Sequence, residues 1–170
     1  MKVVKGSWRT VIVLEKFAIK IPKINITIAL KIACYEIRYG VFWKNLFDYS
    51  YEMYGSVHIH LFKGIMANWL EYQYYRETKS SFLVPTHFSL CGLVNIQKRA
   101  DALKMNDDFW SQMYRLTNGE VFDDSHHFAE PANFSKTNGQ LQMIDYGSKR
   151  CHNVIRKYGE KIQHEFNFSI

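Results

Sequence analysis

His126–Gly147 reads HHFAEPANFSKTNGQLQMIDYG. Three local signals organise it. Pro131 closes a loop that carries Asn133. Asn138-Gly139 is a dipeptide favoured in tight hairpins, because both positions tolerate positive φ. The apolar run that follows, with Leu141, Met143 and Ile144, ends on the carboxylate of Asp145, ahead of Tyr146-Gly147. A loop amide and a strand-end carboxylate joined by a hairpin can meet at one Mg²⁺, which takes oxygen ligands and keeps several waters. Asn133 and Asp145 are therefore the candidate metal ligands.

More ionisable groups flank this stretch. Asp123 and Asp124 precede His126-His127, and Glu130 precedes Pro131. An Asp-Asp-Ser cluster commonly makes turns and caps, but Asp124 and Glu130 are also the nearest groups able to accept a proton. The two histidines lack further ligands at closed-site zinc spacing and read as side chains that brace the loop. Downstream, Cys151–Phe166 reads as a basic terminal helix.

Working back to the N-terminus, Lys2–Lys5 and Thr10–Leu14 are β-rich and flank Gly6-Ser7-Trp8-Arg9, the pattern of a hairpin. Phe17–Pro22 (FAIKIP) alternates as a third strand and stops at proline. Lys20 either points to water from that strand or faces inward to meet an anion, since a buried ammonium needs one. Residues 24–56 carry Ile28, Ile32, Tyr35 and Tyr39 at helical spacing and read as two helices broken near Gly40. Val57–Thr78 reads as a long helix with Leu61, Ile65, Leu70 and Tyr74 in a stripe and Glu71 beside it. Glu71 is either a solvated residue or the partner of Lys20. Ser81–Phe88 and Cys91–Ile96 read as two more strands, turned at Leu90-Cys91-Gly92. Gln97–Leu103 leads out of them into a helix capped by Asn106 or Asp107 and ended by Thr117-Asn118-Gly119.

Taken together, these elements resemble the protein-kinase-like fold. The kinase pattern H-R-D-L-x-x-x-N falls on His126–Asn133, with histidine and asparagine in register. D-F-G falls on Asp145-Tyr146-Gly147, and the V-A-I-K strand on Phe17-Ala18-Ile19-Lys20. The resemblance implies an α+β fold with a five-stranded antiparallel sheet in a first lobe (1–100), a helical insertion at 24–56, and a reduced helical second lobe (101–170), all in one domain. It is similar to the miniature kinase-like proteins of bacteria and phages. It implies that Lys20 meets nucleotide phosphates, that Glu71 steadies Lys20, and that Asn133 and Asp145 hold Mg²⁺ beside ATP. It also implies an adenine contact along Gln97–Leu103.

Two departures bear on activity. The catalytic aspartate, which would take the proton of a substrate hydroxyl, is replaced by Phe128, leaving Glu130 or Asp124 as substitutes. The glycine-rich phosphate loop is reduced to Gly6, followed by the bulky Trp8. The expectation is a pseudokinase: a nucleotide- and Mg²⁺-binding protein with impaired or absent phosphotransfer, serving as a binding or regulatory module. The alternatives are an active minimal phosphotransferase, or a phage-encoded non-enzymatic inhibitor or adaptor that engages a host protein or a nucleic acid through its aromatic insertion and basic surface.

Composition sets the outer bounds. With 170 residues, 47% of them hydrophobic, the chain can bury a core of its own. The net charge of +6 is spread out, without the dense basic stripe that marks a nucleic-acid interface. Cys34, Cys91 and Cys151 are odd in number and widely spaced, which fits reduced thiols and a cytoplasmic setting, the host cytoplasm for a phage protein. Lys20, Lys23 and Asn25 interrupt the N-terminal hydrophobic run, so neither a signal peptide nor a membrane helix is expected.

Overall fold

In the computed structural model the described residues are 1–47, 56–104 and 108–168, without the side chain of Asp123. The chain begins with three strands in antiparallel succession: β1 (Lys2–Lys5), β2 (Arg9–Val13) and β3 (Phe17–Pro22). Alternation and the stop at Pro22 place them as expected, except that β2 starts one residue earlier, at Arg9. Helices α1 (Ile26–Arg38) and α2 (Phe42–Phe47) follow, with Gly40 at φ 70° between them. The remainder of the aromatic insertion, 48–55, and the expected caps Asn106 and Asp107 lie outside the described residues. The long helix α3 spans Val57–Thr78.

Strands β4 (Thr86–Leu90) and β5 (Val94–Lys98) complete an antiparallel five-stranded sheet of order β1-β2-β3-β5-β4. Both begin later than the sequence indicates. Ser81–Val84 does not join this sheet: Val84 N donates to Met143 O and Met143 N to Phe82 O, so the segment runs beside the distant hairpin instead, and only from the Pro85 carbonyl, which accepts from Lys98 N, does the chain bond to β5. Pro85 cannot donate to a ladder, which separates the two pairings. That hairpin, β6 (Phe134–Thr137) and β7 (Gln140–Met143), turns at Asn138 and Gly139, with φ of 52° and 80°. Helices α4 (Phe109–Leu116), α5 (Ser125–Phe128) and α6 (Lys149–Glu165) surround it. The protein is thus α+β.

Apolar burial is uneven. Phe82, Phe109, Met113, Phe128, Phe134, Leu141, Met143, Tyr146 and Ile162 form the dense core, all on the side of the hairpin and its helices. The sheet is covered chiefly by α3, and no residue of β1 or β2 is fully buried. The apolar residues at helical spacing in the insertion do not all turn inward. On α1 it is Ala29 and Glu36 that are buried, while Ile28, Tyr35 and Tyr39 are exposed, as are Trp43 and Phe47. A helix apolar on nearly every side must leave some of it outside; here the short Ala29 side chain faces inward. No described helix is long and apolar enough to cross a membrane.

Candidate functional site

The site is built where the inner face of the sheet, α3 and the turn after β7 converge. Directly paired residues of a sheet share a face. The pairings Val4 with Val11, Val11 with Lys20, and Lys20 with Asn95 therefore put Lys20 on one face with Val4 and Val11. Arg9, two residues before Val11 in β2, joins that face by the period of two.

On α3, Gly64, Ala67, Asn68 and Glu71 fall on one side at helical spacing. Two glycines let the backbones close in on this helix. A methyl at Gly64 would lie 2.4 Å from the Trp8 carbonyl oxygen, and one at Gly147 would lie 2.7 Å from the Ala67 carbonyl oxygen. The start of β2 and the Asp145-Tyr146-Gly147 turn are thereby drawn onto the same stretch of α3.

The result is a buried cluster of four charges. Lys20 Nζ donates to Glu71 Oε1 and Oε2 at 3.0 and 2.9 Å, and to the Ile144 carbonyl at 2.9 Å. Arg9 Nη1 donates to Glu71 Oε1 at 2.6 Å, and Arg9 Nη2 to Asp145 Oδ1 at 2.5 Å. Lys20 and Glu71 are 3% and 0% exposed, whereas Asp145 keeps 31% of its side chain open to solvent. Asn68 and Asn95 fasten the frame: Asn68 Nδ2 donates to the Lys20 carbonyl, and Asn95 Nδ2 to the Asn68 carbonyl and to Glu71 Oε2.

Electrostatics follow from this packing. Burial pulls the Lys20 ammonium below its usual range, only partly offset by Glu71. For Asp145, burial works against the charge, but Arg9, Lys20 and His127 overcome it and hold the carboxyl well below the usual carboxylate range. For Arg9, burial is likewise outweighed by Asp145 and Glu71, so the guanidinium stays charged.

The residues of the His126–Asn133 stretch sit alongside. Asn133 and Asp145 are neighbours through the backbone, since the Asn133 carbonyl accepts from Ile144 N at 2.7 Å and Asp145 N at 3.5 Å. The Asn133 side chain donates to the His127 carbonyl at 3.0 Å. His127 Nδ1 lies 2.8 Å from Asp124 Oδ1, and its Nε2 lies 3.9 Å from Asp145 Oδ1. Ser148 Oγ donates to the other oxygen of Asp124. Asp124 thus reaches the cluster through His127. Burial lowers the affinity of His127 for its proton, but Asp124 and Asp145 reverse this and raise its pKa. Asp124, His126 and His127 have ligand atoms within 4.8 Å of one another, the geometry of a possible metal-binding trio. Glu130 is exposed at the start of the Pro131–Asn133 turn and forms no ion pair with Arg9, Lys20 or His127 among the described residues. Phe128 is wholly buried in the core. The side chain of Asp123 lies outside the described residues.

Sequence reasoning brought out Lys20, Glu71, Asn133 and Asp145, and the structure gathers all four. It missed Arg9, read as part of a turn, and the role of His127 as the link between two carboxylates.

A cavity of about 640 Å³ opens between β1, β2 and the segment after β5, lined by Val4, Val13, Ala100 and Ala102 together with the charged Lys2, Glu15, Arg99 and Asp101, and by no residue of the cluster. Val13 pairs with Ala18, so the apolar wall of the cavity lies on the same sheet face as Lys20.

As arranged, the cluster does not suit Mg²⁺. Two cations, Arg9 and Lys20, already balance two carboxylates, Glu71 and Asp145. A divalent ion on Asp145 would have to displace the Arg9 guanidinium, which already occupies Asp145 Oδ1 and Glu71 Oε1.

No protein-family model matches the chain, and no curated protein or solved structure matches it significantly.

Proposed function

We propose that the protein is a kinase-like, nucleotide-binding module whose phosphotransfer is impaired or absent, and that it works by binding and regulation. The observation that carries this reading is the convergence of Lys20, from the third strand, with Glu71 and Asp145, which come from distant parts of the chain. A lysine held by a helix carboxylate next to a carboxylate at a strand end is the arrangement by which kinase-like sites handle phosphates. The cavity on the same sheet face has a volume within the ordinary range for small-molecule sites, and the segment on one of its walls is the one expected to meet an adenine. Phe128 in the core leaves no carboxylate at the position of the base, which supports impaired transfer.

Thermal unfolding with ATP and without it tests the reading. A ligand at a hundred times its Kd stabilises the native state by about 2.7 kcal/mol, so the melting temperature rises. An unchanged melting temperature at millimolar ATP removes the nucleotide from the account.

A second reading, an adaptor that docks a partner protein, draws on a different observation: the exposed Tyr35, Tyr39, Trp43 and Phe47 of α1 and α2. Aromatic side chains of this kind anchor protein interfaces. Substitution of these four would abolish partner capture, while Lys20→Met would leave it intact.

A further inference from the structure

We propose that Arg9 stands where a divalent cation would otherwise sit, so that the site is metal-free and binds its anionic ligand without Mg²⁺. The inference rests on the kinase-like reading only for where a metal would be looked for; the chemistry is that of the residues themselves. The guanidinium spans Glu71 Oε1 and Asp145 Oδ1, at 2.6 and 2.5 Å, and approaches Asn68 Oδ1 at 3.3 Å. A metal ion in a phosphate site neutralises carboxylates on one side and ligand oxygens on the other. Arg9 already does the first. Its forked donors also match phosphate oxygens, and at 11% exposure it is nearly enclosed.

The covalent origin of this cation is what separates it from a loosely placed arginine. Arg9 pairs with Pro22 in the ladder, and the Trp8 carbonyl just before it accepts from Lys23 N and presses on Gly64. The Trp8 ring lies against His60, 5.6 Å between centroids, with Lys63 Nζ 5.1 Å from the ring centroid. The segment carrying Arg9 is thus anchored on α3 about two turns before Glu71, and from there Arg9 reaches both Glu71 and Asp145. The single-glycine loop before it also fits: a loop held down on α3 does not need the freedom of several glycines.

The test is a titration with Mn²⁺ as the probe metal, read by the electron paramagnetic resonance of the free ion. In the wild-type protein Asp145→Asn does not lower Mn²⁺ affinity, because Asp145 holds no metal; its loss frees His127 of a group that favours the protonated ring, so weak binding at Asp124, His126 and His127 can only rise. Arg9→Gln creates a site and raises affinity at least tenfold, and adding Asp145→Asn to that variant cancels the gain. A fall in affinity on Asp145→Asn in the wild-type background, or no gain from Arg9→Gln, overturns the proposal. Should Arg9→Gln fail to fold, the wild-type and Asp145→Asn pair decides alone. A parallel ATP titration separates the two levels of the account. Equal affinity in Mg²⁺ and in EDTA agrees with the proposal, and a tenfold loss in EDTA contradicts it. No ATP binding in either medium refutes the proposed function and leaves the Mn²⁺ result to judge Arg9.

Discussion

Arg9 and Asp145, near opposite ends of the chain, meet at 2.5 Å, and the other arm of the same guanidinium lies 2.6 Å from Glu71. Glu71 is thereby the hub of the cluster, holding Lys20 as well. Removing one partner of a buried ion pair strands the other and costs about 3–5 kcal/mol. Glu71→Ala strands Lys20 and leaves Arg9 with Asp145 alone, and is expected at the upper end of that range; Lys20→Met leaves Glu71 with Arg9 and costs less. Urea unfolding midpoints measure the order. An equal or larger loss for Lys20→Met would show that Glu71 is not the hub.

The close approaches to α3 are a second test. Gly64→Ala and Gly147→Ala each push a methyl into a backbone carbonyl, at 2.4 and 2.7 Å. Overpacking of this kind costs about 1–3 kcal/mol. Denaturant unfolding should show such a loss for both. A loss under about 0.5 kcal/mol would mean that the strand and the turn do not press on the helix as described.

His152 gives the protein an acid-sensitive core. Its Nε2 lies 2.7 Å from the Tyr146 carbonyl, and its ring stacks on Tyr74 at 3.8 Å. Burial, aided by Arg156, brings its pKa from the usual 6.5 down to about 4. Between those values the unfolded chain binds a proton that the native state does not, so stability rises with pH there and is lost as pH falls through that window. The shift corresponds to about 3 kcal/mol. His152→Gln should flatten the loss between pH 6.5 and 4, measured by urea unfolding. An unchanged slope would place the acid sensitivity elsewhere.

His127 behaves in the opposite sense. Its raised pKa means that its contribution is complete below the ordinary histidine value and fades as pH rises through the folded one. Asp124→Asn removes the main support of the charged ring and should lower the His127 pKa in an NMR titration. A pKa unmoved by that change would uncouple His127 from Asp124.

Much of this arrangement was legible in the chain, for physical reasons. The alternation in Phe17–Pro22, the uninterrupted helical pattern from Val57 to Thr78 and the Asn138-Gly139 turn are local signals, and each element formed where its signal lay. Glu71 could be named because it falls beside the apolar stripe of the long 57–78 helix, where the kinase resemblance looks for a partner of Lys20. Arg9 could not, because its neighbours Gly6, Ser7 and Trp8 read as turn. Only the pairing of Arg9 with Pro22 turns it toward Lys20. Ser81–Pro85 misled for a similar reason: its apolar residues suit a strand, but which strand they pair with is decided by Met143, far along the chain. The outward aromatic side chains of α1 and α2 were likewise invisible to periodicity, which reports a stripe and not what covers it.

The most direct test of the central claim is a chemical-shift map of methyl groups on adding ATP. Binding as proposed perturbs Val4, Val13, Ala18, Ala100 and Ala102, which line or adjoin the cavity on the sheet face that carries Lys20, and Lys20→Met removes the response. Shifts confined to α1 and α2, or none at millimolar ATP, would contradict a nucleotide site between the sheet and Asp145.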